Sequence, residues 1–372
     1  MKNKKSDITF LLKVLKTSIF FIAFFFINNI LSAQGSSPEL FGKKPIIIPR
    51  ARVIIDNDFG GDPDGLFQLT HQLLSPSVEV RAIIGSHLTP NTDFGGYFPF
   101  SADSAVAKAK EVVKILGLEN KVPVLAGANY ALTESFQPQQ SKGAEFIVKE
   151  AMRKDTKLPL YIVCGAGLTN IASAYLMEPK IADRITLVWI GGKEYDYSFH
   201  SQLSPILTKR GSAVEYNISI SVPAAQVIFN SSSMPVWQVP RDTYRQCLYS
   251  FAEIKADIEP QGKIGCYLAD KLFIFLNDLA AKNWKMGETY ILGDSPLVLL
   301  TALQSGFEAD ACSSHYVNIS RPEIKKNGDY ENKSRKSFIR VYDRIDSRLI
   351  YTDMIAKLKL FNQQFKENNE KK

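Results

Sequence analysis

The sequence predicts an α/β fold built on a single large, open and mostly parallel sheet flanked by helices. Short apolar runs rich in β-branched residues, the pattern of strands buried on both faces, recur along the chain and alternate with amphipathic helical stretches. No internal repeat or low-complexity linker divides the chain after its amino-terminal segment. The remaining residues, about 340 in a chain that is 45% hydrophobic, can bury one large core.

Each predicted element has its own local signal. Apolar runs predict strands at residues 53–55, 78–84, 122–126, 158–164, 186–190 and 338–342. Apolar positions at helical spacing predict helices at residues 66–73, 105–116, 141–151, 249–278 and 347–360. Segments 90–103 and 193–211, rich in polar and aromatic residues, predict loops that reach over a binding pocket.

Residues 1–33 are predicted to be a signal peptide that is not part of the folded domain. Five lysines flank the start of an apolar core at residues 19–27, and Leu31-Ser32-Ala33 is typical of a cleavage site. This core is too short for a comfortable membrane span, although an uncleaved amino-terminal anchor is the alternative interpretation. We therefore expect an exported protein of the periplasm or extracellular space, with no stable membrane span after cleavage.

Residues 34–364 are predicted to form one α/β domain, and residues 365–372 a disordered basic tail. Removing the five lysines and one aspartate of the leader lowers the formal charge from +7 to +3. The basic character of the chain thus comes largely from its two ends. Because the domain shows neither a basic patch nor interleaved aromatic residues, we expect no binding to nucleic acid.

Four carboxylates follow the first predicted strand within nine residues, namely Asp56, Asp58, Asp62 and Asp64. The carboxyl end of a strand in an open α/β sheet is where ligands bind. Carboxylates crowded this closely repel one another unless they share protons or surround a cation, and a flexible set of carboxylate oxygens favours calcium over magnesium. The alternative is that Asp62 caps the next helix and Asp64 favours its positive end, which leaves Asp56 and Asp58 unexplained.

This stretch resembles the amino-terminal signature of the inosine-uridine nucleoside hydrolase family, Asp-x-Asp-x-Gly-x-Asp-Asp followed by a small residue and a helix. The matching residues are, in order, Asp56, Asp58, Gly60 and Asp62, and Pro63 is inserted before the last acid, Asp64. The resemblance implies calcium ligation by Asp58 and Asp64, with Asp56 in a supporting role and a sugar contact for Asp62. The insertion leaves open whether Asp62 or Asp64 is the main calcium ligand.

Three later signatures strengthen the resemblance. The turn Gly165-Ala166-Gly167 with Leu168-Thr169-Asn170 resembles the family's glycine-rich turn, which implies that a backbone carbonyl of Cys164 or Gly165 binds the calcium. Gly293-Asp294-Ser295-Pro296 resembles a turn whose aspartate, here Asp294, completes the metal shell. Glu215-Tyr216-Asn217 resembles the family's Glu-Phe-Asn, in which the acid and the amide, here Glu215 and Asn217, satisfy the hydroxyls of ribose.

The sequence departs from the family at two contacts. Where the family has an asparagine at the end of the second strand, this chain offers Ser86 or His87 as the substrate contact. Gly293 replaces the histidine that acts near the leaving base, so no imidazole acid acts from that position. The candidates for protonating the base are His87, His200, a tyrosine of loop 193–211 and an ordered chain of waters, and His200 is the acid that we name.

The resemblance covers most of residues 52–301 and implies a nucleoside hydrolase-like sheet with a Rossmann-like core. It also implies an enzyme, a calcium-dependent glycosidase that hydrolyses the N-glycosidic bond of ribonucleosides to free base and ribose. Asp58 would activate the attacking water. The implied partner is a small-molecule nucleoside or a related glycoside, used in purine or pyrimidine salvage, and a homo-oligomer is compatible with the resemblance.

Other classes of protein fit part of the pattern. An exported calcium-dependent protein that binds sugars or nucleosides without catalysis, or a hydrolase of a different glycoside, would keep the ligand residues and tolerate Gly293. A phosphatase of the haloacid-dehalogenase type also begins with Asp-x-Asp after a strand. Such an enzyme requires magnesium, a downstream lysine and a phosphate-binding hydroxyl, and it does not account for the Leu-Thr-Asn and Glu-x-Asn signatures.

Four cysteines in an exported protein allow three patterns of two disulfides, and Cys247 with Cys266 is the pair that we favour. Cys164, at the end of an apolar strand, is expected to be a buried thiol. The cysteines show neither a zinc-binding spacing nor a histidine placed to activate a nucleophilic thiol.

Overall fold

Strand β1 (Ala51–Asn57) runs through the interior of the molecule in a computed structural model, and each of its residues is buried. The structure describes residues 47–89, 91–92, 96–97, 101–134, 136–195, 214–305, 313–332 and 336–370. The predicted leader at residues 1–33, His200 and most of loop 193–211 lie outside these residues.

Helices and strands alternate along most of the chain, as an α/β fold requires. The further strands are β2 (Val78–Gly85), β3 (Asn91–Thr92), β4 (Gly96–Tyr97), β5 (Val124–Ala126), β6 (Leu160–Cys164), β7 (Ile185–Ile190), β8 (Val236–Val239), β9 (Leu248–Ser250), β10 (Thr289–Ile291), β11 (His315–Ser320), β12 (Glu323–Ile324), β13 (Tyr330–Glu331) and β14 (Phe338–Arg344). The α-helices are α1 (Asp64–Leu73), α2 (Ser101–Ile115), α3 (Lys142–Ala151), α4 (Thr169–Met177), α5 (Tyr216–Ile220), α6 (Val222–Gln226), α7 (Arg241–Tyr244), α8 (Phe251–Glu253), α9 (Gly262–Ala281), α10 (Pro296–Ala302) and α11 (Ser347–Glu370). A 3-10 helix covers Pro179–Asp183, and π-helical turns cover Val227–Ser231 and Ile254–Ile258.

Eight strands form one sheet in the order β11-β14-β8-β7-β6-β1-β2-β5. Strand β11 pairs antiparallel with β14, and the other neighbours pair in parallel, so the predicted mostly parallel α/β sheet is confirmed. The strand order reverses at β1, where Asp56 is in register with Ile84 of β2 and Cys164 of β6. A reversal of this kind opens a crevice beyond the carboxyl ends of the strands.

The sheet separates two apolar cores. Successive residues of β1 point to opposite faces, so Val53 and Ile55 enter one core and Ile54 enters the other. Apolar residues of α1, α2, α9, α10 and α11 complete the first core, and those of α3, α4 and α6 complete the second. Both faces of the central strands are therefore buried from solvent, which explains their unbroken apolar sequence. Among the described helices, none is long and apolar enough to cross a membrane.

Two predictions outside the sheet are wrong. Residues 365–370 are not a disordered tail, because they continue α11, and this segment holds the helix formers Lys366, Glu367 and Glu370 with no proline or glycine to end the helix. Cys247 and Cys266 do not form a disulfide. Cys247 is buried in the core, whereas Cys266 is exposed on α9, where its thiol contacts the carbonyl oxygen of Glu259. Cys164 is a buried free thiol, as predicted.

A buried polar cluster ties the carboxyl end of α1 to α11. His71 Nε2 lies 2.7 Å from Asp353 Oδ2, and Lys357 pairs with the same carboxylate while donating a hydrogen bond to Ser75 Oγ at 2.8 Å. Burial lowers the pKa of His71 to about 4, against the opposing effect of Asp353. The imidazole is therefore neutral at pH 7. Since α1 begins at Asp64, the cluster anchors a helix that carries one of the candidate acids.

We expect His71 to make the free energy of unfolding fall as the pH drops from about 6.5 to about 4. The unfolded chain binds a proton at the ordinary imidazole pKa, whereas the folded protein keeps the ring neutral down to about pH 4. The contribution should reach about 2–3 kcal/mol. His71→Gln removes this titration, so the difference in unfolding free energy between wild type and variant, measured by urea denaturation, should shrink toward low pH. A difference that stays constant from pH 7 to pH 4 would contradict this assignment.

Candidate functional site

A cleft of about 1100 Å³ opens beyond the carboxyl ends of the central strands. Most of the predicted site residues line it, namely Asp58, Asp62, Asp64, Gly165, Glu215, Asn217 and Asp294. The first three follow β1, Gly165 follows β6, and Asp294 lies just before α10. The sheet thus gathers in one place side chains that come from distant parts of the sequence.

Asn57 connects two of the acids through opposite ends of its amide. Its Oδ1 accepts a hydrogen bond from the backbone N–H of Asp58 at 2.8 Å, and its Nδ2 donates to Asp294 Oδ2 at 2.8 Å. The backbone N–H of Asp294 in turn donates to Asp64 Oδ2 at 3.1 Å. We call Asp58, Asp64 and Asp294, linked in this way, the bridged acids. Sequence analysis assigned no role to Asn57, although its place between two candidate acids is a signal.

Burial and mutual repulsion raise the pKa values of the bridged acids. The pKa of Asp58 and that of Asp64 lie well above the ordinary value, first because both carboxyls are buried and then because Asp294 and Asp62 carry like charge. Burial raises the pKa of Asp294 to about 8. A cation entering this cluster would offset the repulsion and displace the protons. Within the part of the chain that the structure describes, no three His, Cys, Asp or Glu side chains already form a metal-holding group.

Asp56 faces the opposite side of β1 from Asn57. Its Oδ1 accepts hydrogen bonds from Ser86 Oγ and from Asn170 Nδ2, the latter at 2.9 Å, whereas its buried Oδ2 has no hydrogen-bond partner among the described residues. Burial raises the pKa of Asp56 to about 6, against the effect of these two bonds. The negative charge of Asp56 contributes to the raised pKa of Asp58. Asp56 thus influences an acid of the cleft although it does not line the cleft itself.

Ser86 and His87, the predicted substrate contacts, are buried and do not line the cleft. The hydroxyl of Ser86 donates to Asp56. His87 Nδ1 lies 3.0 Å from the carbonyl oxygen of Leu88, and Nε2 lies 2.9 Å from Thr169 Oγ1. Burial lowers the pKa of His87, so the neutral ring donates from Nδ1 to the carbonyl and accepts at Nε2 from the hydroxyl. Both side chains therefore hydrogen-bond to residues near the ends of the strands, and neither lines the cleft.

The backbone at Gly165 passes directly beside the bridged acids. A Cβ atom at this position would lie 2.6 Å from both carboxylate oxygens of Asp294 and 2.6 Å from Asn57 Nδ2. Glycine therefore permits an approach that any side chain would prevent. Of the two residues expected to offer a backbone carbonyl, Gly165 lines the cleft, whereas Cys164 is fully buried with its thiol directed toward the carbonyl oxygen of Ala166.

Glu215 and Asn217 are held where β7 ends. Glu215 Oε2 accepts hydrogen bonds from the backbone N–H groups of Gly192 at 2.8 Å and Ile218 at 3.1 Å, so this side chain also caps α5. Asn217 Nδ2 donates to the carbonyl oxygen of Ile190 at 2.7 Å. Both side chains are therefore fixed by the protein itself while they line the cleft.

Two tyrosines that sequence analysis missed touch the predicted acids. Tyr290 Oη donates to Asp62 Oδ2 at 2.7 Å, and Tyr244 Oη donates to Glu215 Oε1 at 3.1 Å. Burial, reinforced by the neighbouring carboxylates, raises the pKa of both phenols well above the ordinary value, so they remain protonated donors. Tyr290 is only four residues before Asp294, so its place in the sequence could have indicated a site residue. No motif around Tyr244 indicates that it belongs to the site.

Comparisons with known proteins agree on one family. The family model described as inosine-uridine preferring nucleoside hydrolase matches residues 53–351. The protein of that name from Leishmania major is 26% identical over 207 residues, and that from Crithidia fasciculata is 28% identical over 210 residues. Each of these alignments covers 50% of this chain and 58% of the relative, so the chain spans little more than half the length of the curated relatives that it matches.

A solved structure supports the fold. The purine-preferring ribonucleoside hydrolase from Gardnerella vaginalis superimposes with a TM-score of 0.59 at 19% identity, covering 84% of this chain and 99% of that one. At this level of identity the likeness concerns the course of the backbone, and the chemistry must be argued from the side chains of the cleft.

Replacing Gly165 by Ala should destabilise the protein, because the new Cβ must displace Asp294 and Asn57. Overpacking of this kind costs about 1–3 kcal/mol. Gly293→Ala is the matched control, since a Cβ there would meet its nearest neighbours, Asp64 Oδ2 and Tyr244 Cδ2, at an ordinary 3.4 Å. Thermal unfolding should show a lower Tm for Gly165→Ala alone, and a Tm equal to that of the wild type would argue against the close approach.

Proposed function

Because the chain belongs to the inosine-uridine preferring nucleoside hydrolase family, we propose that it hydrolyses the N-glycosidic bond of ribonucleosides to free base and ribose, with calcium as the cofactor. The observation that carries the proposal is the set of bridged acids, linked through Asn57 where the strand order reverses. Such a set offers oxygen ligands for a hard cation beside a carboxylate that can take a proton.

The donors around the bridged acids suit calcium, because all of them are oxygens. The proposed ligands are Asp58, Asp64, Asp294 and the backbone carbonyl of Cys164 or Gly165, with Asp56 in support. The raised pKa values of the bridged acids express a lack of positive charge among them, and the unpartnered Oδ2 of Asp56 adds to it. When bound, calcium supplies coordination sites for sugar hydroxyls and acidifies a coordinated water.

Asp58 is the proposed base. It lines the cleft and its backbone N–H is held by Asn57, so its carboxylate is fixed beside the proposed site of the attacking water. It takes the proton of the water that attacks the anomeric carbon.

The remaining polar residues hold the sugar. Asp62, oriented by the hydroxyl of Tyr290, accepts a hydrogen bond from a ribose hydroxyl. Glu215 and Asn217 grip the ribose from positions that their own backbone partners have fixed. A fixed grip of this kind favours the flattened oxocarbenium-like transition state over the ground state.

Release of free base and reducing sugar from a panel of purine and pyrimidine ribonucleosides tests the proposal. We expect catalytic turnover with calcium and its loss on chelation. Asp58→Asn should lower kcat by about 10²- to 10⁴-fold, because the general base is removed. Asp183→Asn is the matched control, since Asp183 is exposed just before β7 begins, at the opposite edge of the sheet, and this variant should retain full activity.

Three outcomes would change the proposal. Turnover that survives chelation would remove calcium from it. Calcium-promoted binding of nucleosides by the wild-type protein without turnover would instead favour an exported binding protein, the alternative that Gly293 in place of a histidine supports. Turnover of other glycosides alone would keep the chemistry and change the substrate.

We further propose that His200 protonates the leaving base. His200→Ala should lower kcat for inosine at least about tenfold more than kcat for an activated aryl riboside, whose leaving group needs no proton. His315→Ala serves as the control, because His315 is an exposed histidine on β11. Equal losses on the two substrates would exclude His200 as the acid.

A further inference from the structure

Basic side chains line the cleft on the side formed by α7. This short helix follows β8 at the carboxyl edge of the sheet, and Arg241, Tyr244 and the next residue, Arg245, all line the cleft. The backbone N–H of Arg245 donates to the carbonyl oxygen of Arg241 at 3.2 Å. The two arginines are thus one helical turn apart and project to the same side.

The two arginines differ in how their charge is matched. Arg241 is buried and forms a two-point ion pair with Glu194, with both N···O distances at 2.6 Å. Arg245 is partly exposed, and no described carboxylate lies within ion-pairing distance of its guanidinium. Glu194 forms its ion pair with Arg241, although Arg245 also helps to lower the pKa of Glu194, and the guanidinium of Arg245 is left to face the cleft.

The charges divide the cleft into two regions. The bridged acids form its floor, where the proposed calcium and the sugar hydroxyls would be bound. A guanidinium instead binds a phosphate group through two parallel hydrogen bonds. Arg245 on the α7 side therefore offers a partner for a phosphate, and Lys282, directly after α9, also lines the cleft.

The size and the apolar lining of the cleft fit a ligand larger than a sugar. Leu248, Trp284 and Met286 line it and are exposed, which offers apolar surface to a base. The volume of about 1100 Å³ slightly exceeds the range of about 300–1000 Å³ that small-molecule sites occupy. The acidic floor suits the sugar of a nucleotide, the apolar surface suits its base, and the basic side suits its phosphate.

We propose that this cleft takes nucleoside 5′-monophosphates, with Arg245 binding the phosphate. The inference rests on the proposed function, and a 5′-phosphate leaves the 2′- and 3′-hydroxyls free for the acidic floor. Water attacks the anomeric carbon, the C–N bond breaks with its electron pair going to the base nitrogen, and that nitrogen takes up a proton. The products are the free base and ribose 5-phosphate.

Values of kcat/KM for inosine and inosine 5′-monophosphate, measured with calcium, test the inference. The wild-type protein should prefer the nucleotide by about tenfold or more, since a charge-assisted pair of hydrogen bonds is among the stronger polar contacts. Arg245→Gln should lose at least about tenfold more on the nucleotide than on the nucleoside. Arg245→Lys keeps the charge but loses the two-point geometry of the guanidinium donors. Its kcat/KM for the nucleotide should therefore lie between the values of the wild type and of Arg245→Gln. Arg184→Gln, exposed just before β7 at the opposite edge of the sheet, should keep the wild-type ratio.

The possible failures are distinguishable. Hydrolysis of inosine without a preference for the nucleotide, or equal losses on both substrates in Arg245→Gln, would overturn the phosphate site and leave nucleoside hydrolysis intact. If neither compound is turned over, the proposed function fails and calorimetric binding decides the inference. Binding of the nucleotide that is about tenfold weaker in Arg245→Gln, with nucleoside binding less affected, supports it, whereas equal or absent binding overturns it. If Arg245→Gln does not fold, Arg245→Lys should still lose part of the preference for the nucleotide, and an unchanged preference in that variant overturns the inference.

Discussion

Repulsion among carboxylates buried at the end of β1 is the constraint on which the rest of the site depends. Burial strengthens the interaction of like charges, because little water remains to screen them. The protein offsets part of the repulsion with neutral donors: the amide of Asn57 donates to Asp294, and the backbone N–H of Asp294 donates to Asp64. These donors do not restore ordinary acidity, since the pKa of Asp294 still rises to about 8. The imbalance that remains is of the kind that a hard cation neutralises.

The same constraint explains the choice of residues around the acids. Side chains can be packed this closely only where the neighbouring backbone carries no Cβ. Glycine occupies two positions at which the backbone passes beside Asp294 or Asn57. A Cβ at Gly165 would strike Asp294, and a Cβ at Gly65 would lie 3.0 Å from the amide nitrogen of Asn57. Gly65 lies in the first turn of α1, directly after Asp64, and the far end of that helix is fixed by the polar cluster around His71. The position of one site acid thus depends on β1, on α1 and on the closing helix α11 together.

Sequence patterns predicted the sheet and the acids because both signals are local: an apolar run marks a strand, and the acids follow that strand directly. They did not predict side-chain direction at the end of β2, where Ser86 donates to Asp56 of β1 and His87 contacts Thr169 of α4, because these partners belong to other elements of the chain. The contact of Asn57 with Asp294 joins residues 237 positions apart, which no local pattern reveals. The composition of residues 365–370 suggested disorder, but they extend a helix that is already packed on the core, and no proline or glycine ends it.

Reaction and substrate choice are located in different parts of this cleft. In the proposed reaction the acidic floor contacts the ribose diol, which every ribonucleoside shares, so the floor cannot distinguish one substrate from another. Discrimination must come from residues that face the base and the 5′-position. At Gly293 the floor itself carries no side chain, and the nearest groups that a Cβ would meet are Asp64 and the ring of Tyr244 on α7. Helix α7 therefore borders both the space left by Gly293 and the guanidinium of Arg245, which forms no ion pair with any carboxylate among the described residues. Changes in this one short helix can alter the substrate while the bridged acids, and with them the chemistry, stay the same.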